Sequence, residues 1–153
     1  MISDLAAEVL AKHCLKKAHT DDKNAWAWAE LESGKDSESL RVLAGLNAVE
    51  LSEVDLYFGR ALHELGYTVP SNDELMRWYC RNMAEMILSD KVSTDLSCSM
   101  VYQIYVDLGY PEYLREWDFL SGDMNPVTYE ELSPESFDRL VREQAKKLLS
   151  SSL

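Results

Sequence analysis

The sequence predicts an all-α protein, an irregular bundle of about seven short helices in a single domain over residues 1–153. Apolar residues recur at helical spacing in almost every segment, and residues typical of helix starts and stops bracket those segments. No segment shows sustained two-residue alternation or an Asn-Gly or Asp-Gly hairpin turn. The 46% hydrophobic share in 153 residues is enough for one buried core.

The first third of the chain predicts three short helices separated by polar breaks. The helices are expected from Ser3 or Asp4 to Ala18, from Asn24 to Glu32, and from Asp36 or Ser37 to Gly45. Thr20, Asp21 and Asp22 form the expected first break, and Ser33 with Gly34 the second. The inward side of the first helix is expected to hold Leu5, Val9, Leu10 and Cys14.

The middle of the chain has the clearest helical pattern. The helices are expected over Ser52–Gly66, Asn72–Ser89 and Thr94–Leu108. Their inward residues are expected to be Val54, Phe58, Ala61, Leu62 and Leu65, then Met76, Tyr79, Cys80, Met83 and Ile87, then Leu96, Met100, Val101, Ile104 and Leu108. LHELGY at Leu62–Tyr67 resembles YVDLGY at Tyr105–Tyr110, and we interpret both as the same helix stop rather than as a repeat.

The C-terminal region predicts a short element after Pro111 and a long last helix. Ser133 and Pro134 are typical of a cap and a first helical residue, so this helix is expected to reach about Leu149. Its inward residues are expected to be Phe137, Leu140, Val141, Ala145 and Leu148. Val127–Tyr129 is the single weak strand candidate.

Charge and cysteine usage exclude several classes of protein. The chain has 15 basic and 27 acidic residues, a net charge of −12, so we expect it to bind neither nucleic acid nor anionic membranes. It has no signal-like N-terminus and no apolar run of about 18 residues. Its odd cysteine set, Cys14, Cys80 and Cys98, favours reduced thiols in a cytoplasm.

No motif in the sequence indicates catalysis, a metal site or a cofactor. His13, Cys14 and His19 form the one close His/Cys cluster, but their spacing is irregular and lacks a second ligand pair. Nucleophile, zinc-protease and phosphate-loop motifs are missing, and the paired carboxylates are typical of solvated faces. We therefore expect a protein that is not an enzyme.

Two aromatic clusters are the most informative features. Trp26 and Trp28 diverge by about 200° on a helix, so one can face the core and the other the surface, unless packing covers both. The second cluster, Tyr110–Asp123, lies in a window, Asp107–Asp138, with nine acids and one base. We predict a protein-contact site there, consisting of Tyr113 and Trp117 with Glu112, Glu116, Asp118 and Asp123. The alternative is that these aromatic residues enter the core.

Three segments resemble a family of small, acidic, all-helical bacterial proteins. They are ESGKDSESLRVLAGL from Glu32, FGRALHELG from Phe58 and ELMRWYCRNMAEMILSDKV from Glu74. The resemblance covers roughly residues 25–110 and implies a bacterial, cytoplasmic, helical protein. The family has no established activity, so the resemblance implies no catalytic residues.

Together these features favour a non-catalytic binding protein. Its expected partner is a basic protein, for example a toxin that an immunity or antitoxin protein neutralises, because opposite charge speeds capture. The alternative is an enzyme or small-molecule binder with an inter-helical aromatic pocket, lined by Trp26, Trp28, Trp78 and Tyr79. A third hypothesis is a passive structural subunit whose acidity only aids solubility.

Overall fold

A computed structural model describes residues 3–47, 51–121 and 133–150 of the chain, and within these ranges the protein is helical and contains no strand. The all-α prediction is confirmed, with eight α-helices in the described ranges where about seven were expected. Val127–Tyr129, the strand candidate, lies outside the described residues. The helices are α1 Asp4–Cys14, α2 Thr20–Glu32, α3 Glu38–Gly45, α4 Leu51–Glu64, α5 Asn72–Leu88, α6 Thr94–Asp107, α7 Arg115–Ser121 and α8 Pro134–Ser150, with a 3₁₀ turn at Glu112–Leu114 before α7.

Side-chain caps set the starts of the helices. The hydroxyls of Ser3, Ser37 and Ser93 each accept a hydrogen bond from the backbone N–H three residues later, as the sequence predicts for Ser3 and Ser37. The predicted break at residues 20–22 is wrong, because these residues form the first turn of α2. The Asp22 carboxylate accepts the backbone N–H of His19 at 2.8 Å and stabilises this earlier start.

The helix ends share one hydrogen-bond pattern. At the end of α4 the N–H of Tyr67 donates to the carbonyl of Leu62 at 2.9 Å, and at the end of α6 Tyr110 donates to Tyr105 at 2.8 Å. Gly66, with φ of 70°, and Gly109, with φ of 73°, supply the left-handed residue that this pattern requires. The two similar segments are therefore the same helix stop, as predicted.

Contacts between Cα atoms cluster into an N-terminal unit, Met1–Leu75, and a C-terminal unit, Met76–Leu153. In the N-terminal unit α2 packs on α3 and α3 on α4, with α1 against α2. Its core contains Val9, Leu10, Trp26, Leu40, Leu43, Val54, Phe58 and Leu62. Leu5, predicted inward, is 36% exposed, since the small residues Ala6, Ala7 and Ala11 form the buried side of α1 instead. That the chain forms one domain stays a prediction.

In the C-terminal unit α6 packs on α7, and α8 packs on both. All five residues predicted to face inward on α5 are buried. Buried residues from α5 to α8 include Cys80, Met83, Ile87, Val101, Ile104, Leu114, Trp117, Val141, Ala145 and Leu148. The prediction that Leu96 faces inward is wrong, because Leu96 is 56% exposed in the first turn of α6. Ser97 and Cys98 are buried there instead.

Candidate functional site

The predicted contact segment consists of the 3₁₀ turn and α7, and its inner side is apolar. Leu114, Trp117 and Leu120 recur every three residues and are all buried. Trp117 is only 2% exposed, so the expectation that it anchors a partner is wrong. Asp118 is buried as well, which also removes it from the expected acidic rim, and Asp123 lies outside the described residues.

Two other predicted site residues already have partners within the C-terminal unit. The ring of Tyr113 is half-buried, and the guanidinium of Arg77 lies 4.2 Å from its centre, a cation–π contact within the C-terminal unit. The carboxylate of Glu112 pairs with Arg115 at 3.2 Å, although the Glu112 side chain remains 84% exposed. Glu116 is exposed, as predicted.

The exposed aromatic residues of this segment are Tyr110 and Phe119, at 63% and 52% exposure. Tyr110 has a φ of 66°, unusual for a residue other than glycine, and its ring packs edge-on against Tyr105 at 5.2 Å. Phe119 lies two residues after Trp117, and this spacing places it on the opposite side of α7. Glu116 and Phe119 are three residues apart on one solvent-exposed side of α7, and together with the exposed Glu112 of the preceding 3₁₀ turn we call them the α7 face.

The N-terminal unit contains a buried lysine that sequence reasoning missed. Lys23 is 1% exposed, and its ammonium contacts the carboxylate of Asp55. The ammonium also lies 3.4 Å from Nδ1 of His13 and 5.7 Å from the centre of the Phe58 ring. The lysine therefore connects α1, α2 and α4.

Glu30 is a second buried charged residue on α2, and it accepts three hydrogen bonds. The Glu30 carboxylate accepts hydrogen bonds from the Ser3 hydroxyl at 2.7 Å, the Lys35 ammonium at 2.7 Å and the Tyr67 hydroxyl at 2.6 Å. Burial raises the pKa of Glu30, but the bonds from Lys35, Tyr67 and Ser3 outweigh this, and the pKa is lowered overall. Like Lys23, Glu30 is occupied by fixed partners, which favours a structural role over acid–base catalysis. The sequence signal that could have identified both is their position, since residues 23, 26, 27 and 30 form one helical side.

The described residues offer no metal centre and no activated thiol. Within them, no three His, Cys, Asp or Glu side chains lie close enough together to hold an ion. The three cysteines are free thiols. Burial raises the pKa of Cys80 to about 12, and burial together with the charge of Asp95 does the same for Cys98. These two buried thiols are therefore not poised as nucleophiles.

The structure also bears on the predicted aromatic pocket. Trp26 is fully buried and Trp28 is 55% exposed, so the two lie on opposite sides of α2 and do not line one pocket. The alternative that packing covers both is wrong. A cleft of about 390 Å³ does occur in the C-terminal unit. It is lined by Asp95, Cys98, Ser99, Leu120, Ser121 and Phe137.

These observations define an all-helical protein with buried ionic contacts in one unit and exposed aromatic residues in both. Comparison with protein-family models, with curated proteins and with solved structures finds no match to the chain. The resemblance to a family of small acidic bacterial proteins stays a prediction. Among the helices of the described ranges, none combines the length and apolar character needed to cross a bilayer.

Proposed function

We propose that this chain is a non-catalytic acidic binding protein of the bacterial cytoplasm that captures a basic protein, as an immunity protein or antitoxin captures a toxin. The supporting observation is the α7 face, where half-exposed Phe119 follows exposed Glu116 by one helical turn and exposed Glu112 precedes them in the 3₁₀ turn. An aromatic residue with an acidic rim is typical of the centre and edge of a protein interface.

The two parts of the α7 face contribute differently to binding. Phe119 offers apolar area that a partner can remove from water, which slows dissociation. Glu116 and the net charge of −12 attract a basic partner over long range, which speeds association at low salt. We expect Phe119→Ala to weaken binding by about 1–2 kcal/mol, and Glu116→Lys mainly to lower the association rate.

The experiment uses the full chain as bait in an extract of the source cells, followed by kinetics with the purified partner. Leu96→Ala is the matched control for Phe119→Ala, because Leu96 is an equally exposed apolar residue on α6. Glu143→Lys is the matched control for Glu116→Lys, because it changes the charge equally at an exposed position on α8. The expected result is a basic protein that wild type and both controls bind alike, that Phe119→Ala binds more weakly and that Glu116→Lys binds more slowly.

Non-specific attraction must be separated from recognition. A basic protein unrelated to the source cells, such as a cytochrome c, reports charge attraction alone. It should bind all variants of equal net charge alike and dissociate from them at high salt. If the retained partner behaves in the same way and is insensitive to Phe119→Ala, the partner does not bind at the α7 face. If no basic protein is retained, the proposed function is wrong.

The cleft of the C-terminal unit supports a second candidate, small-molecule binding. Its volume of about 390 Å³ lies in the range of ligand pockets, and its lining combines apolar Leu120 and Phe137 with polar Asp95 and Ser99. A thermal-shift screen of small metabolites tests this function, with Ser99→Trp as the variant that fills the cleft. A compound that raises the melting temperature of wild type but not of Ser99→Trp would support it.

A further inference from the structure

The outer side of α2 is a continuous solvent-exposed stripe with a tryptophan at its centre. On a helix, positions 21, 25, 28, 29 and 32 lie together, opposite the buried side that contains Trp26. All five are exposed, and we call them the α2 face: Asp21, Ala25, Trp28, Ala29 and Glu32. Trp28 is 55% exposed, and the alanines one turn before it and directly after it leave the backbone open to close approach.

The charge of the α2 face is negative at both ends. Lys23 is the single basic residue of α2, and it is buried against Asp55, so the solvent side of the helix has no cation. Neither Asp21 nor Glu32 pairs with another described residue. Glu32 is also in the last turn, where the helix dipole disfavours a carboxylate. No cation among the described residues offsets this unfavourable interaction of Glu32 with the helix dipole, and such uncompensated positions are common at binding sites.

We propose that the α2 face binds an α-helical segment of a basic protein through Trp28, with cationic side chains of that segment on Asp21 and Glu32. The two carboxylates are about 16 Å apart along the helix axis. The segment therefore has two lysines or arginines about three turns apart, flanking small apolar residues that pack on Trp28, Ala25 and Ala29. The partner's basic character rests on the proposed function. The position of the face rests on the exposure of Asp21, Trp28 and Glu32, and the choice of a helical ligand rests on the small alanines that leave α2 open to close packing.

Charge selects this occupant over a second copy of the chain. Two α2 faces packed on each other bring the Asp21 and Glu32 carboxylates of both copies into one interface. Each copy also has a net charge of −12, so the two repel each other as whole molecules. A basic helix instead neutralises both carboxylates and covers the ring of Trp28 in one contact.

The test uses two synthetic helical peptides and the full-length protein. The first peptide has a leucine- and alanine-rich side with two lysines three turns apart, and the second has glutamates in place of the lysines. Binding is followed by fluorescence anisotropy of the labelled peptide at low salt. We expect the lysine peptide alone to bind, Trp28→Ala to weaken it about tenfold or more, and Glu32→Lys to weaken it further than Glu143→Lys does.

Three results would overturn the inference. The lysine peptide fails to bind wild type, or it binds Trp28→Ala as well as wild type, or wild type forms a dimer that Trp28→Ala abolishes. Circular dichroism of Trp28→Ala should match wild type, since the residue is exposed, and Trp28→Phe should restore most of the binding. The two proposals fail separately. Capture of a basic protein that Phe119→Ala weakens and Trp28→Ala leaves unchanged supports the α7 face and rejects the α2 face, whereas binding of the lysine peptide with no basic protein captured rejects the proposed function alone.

Discussion

Trp26 and Trp28 on α2 have the same spacing as Trp117 and Phe119 on α7, and each pair places one ring inside and one outside. Trp26 and Trp117 are buried, at 0% and 2% exposure, whereas Trp28 and Phe119 are about half-exposed. The spacing explains why one ring of each pair is buried and the other exposed, because side chains two positions apart on a helix diverge by about 200°. The spacing does not say which ring faces inward.

The residues around each pair decide which ring faces the core, and these residues differ between α7 and α2. On α7 the buried side is apolar, with Leu114 and Leu120 spaced three residues from Trp117. On α2 the buried side contains Lys23 and Glu30, so its pattern of apolar residues has no clear direction. An apolar pattern therefore orients a helix only where the core it faces is apolar too.

Alanine substitution within each pair has the largest expected effect. Trp26→Ala and Trp117→Ala should each lower the free energy of unfolding by about 3–5 kcal/mol, because each leaves a large cavity. Trp28→Ala and Phe119→Ala should each lower it by less than about 1 kcal/mol. Urea denaturation of the four variants measures this. Equal losses within either pair would contradict the buried and exposed assignments.

Next in size is the ion pair under α2. Asp55→Ala should lower the free energy of unfolding by about 2–4 kcal/mol, because it leaves the buried ammonium of Lys23 without its counter-ion. Lys23→Met should cost about 1 kcal/mol or less, since Asp55 is 41% exposed and water can solvate it. Urea denaturation of both variants tests whether Asp55→Ala is the more destabilising of the two. A larger loss for Lys23→Met would show that the pair itself, rather than the stranded charge, is the main stabilising contribution.

The pH dependence of stability reports the second buried charge of α2. The pKa of Glu30 is lower in the folded protein than in the unfolded chain, so its stabilising effect is complete above the unfolded value of about 4.3. This stability is lost as the pH falls through the folded value. Glu30→Gln should therefore be less stable than wild type at pH 7, and the difference should shrink towards pH 3. A constant difference across that range would contradict the lowered pKa.

The smallest expected effect is a difference in thiol reactivity between the cysteines of the two units. Cys14 in the N-terminal unit is half-buried, and its thiol donates to the side-chain oxygen of Asn72 at 3.3 Å. Cys80 and Cys98 in the C-terminal unit are buried with pKa values of about 12. A thiol reagent near neutral pH should label Cys14 first, as mass spectrometry of the peptides would show. Rapid labelling of Cys80 in the folded protein would contradict its place in the core.

The candidate site was predicted less well than the helices, and Trp117 shows why. The acids around it suggest an interface, but the spacing of Leu114, Trp117 and Leu120 in the same sequence indicates a buried side. Periodicity is the better guide here, because acids can be solvated on the outer side of a helix whose inner side is core. Exposure of Glu112 and Glu116 was predicted correctly, because charged residues without a buried partner remain in water.

The sequence by itself determined the helical fold, most helix ends and the buried side of α5, since capping and apolar periodicity act within a few residues of the chain. It did not determine the burial of Lys23 and Glu30. Their partners Asp55 and Tyr67 lie 32 and 37 residues further along the chain. A charge can be buried only when packing brings a compensating group to it. The tertiary structure therefore decided which side of α2 faces the core, and with it the exposure of Trp28.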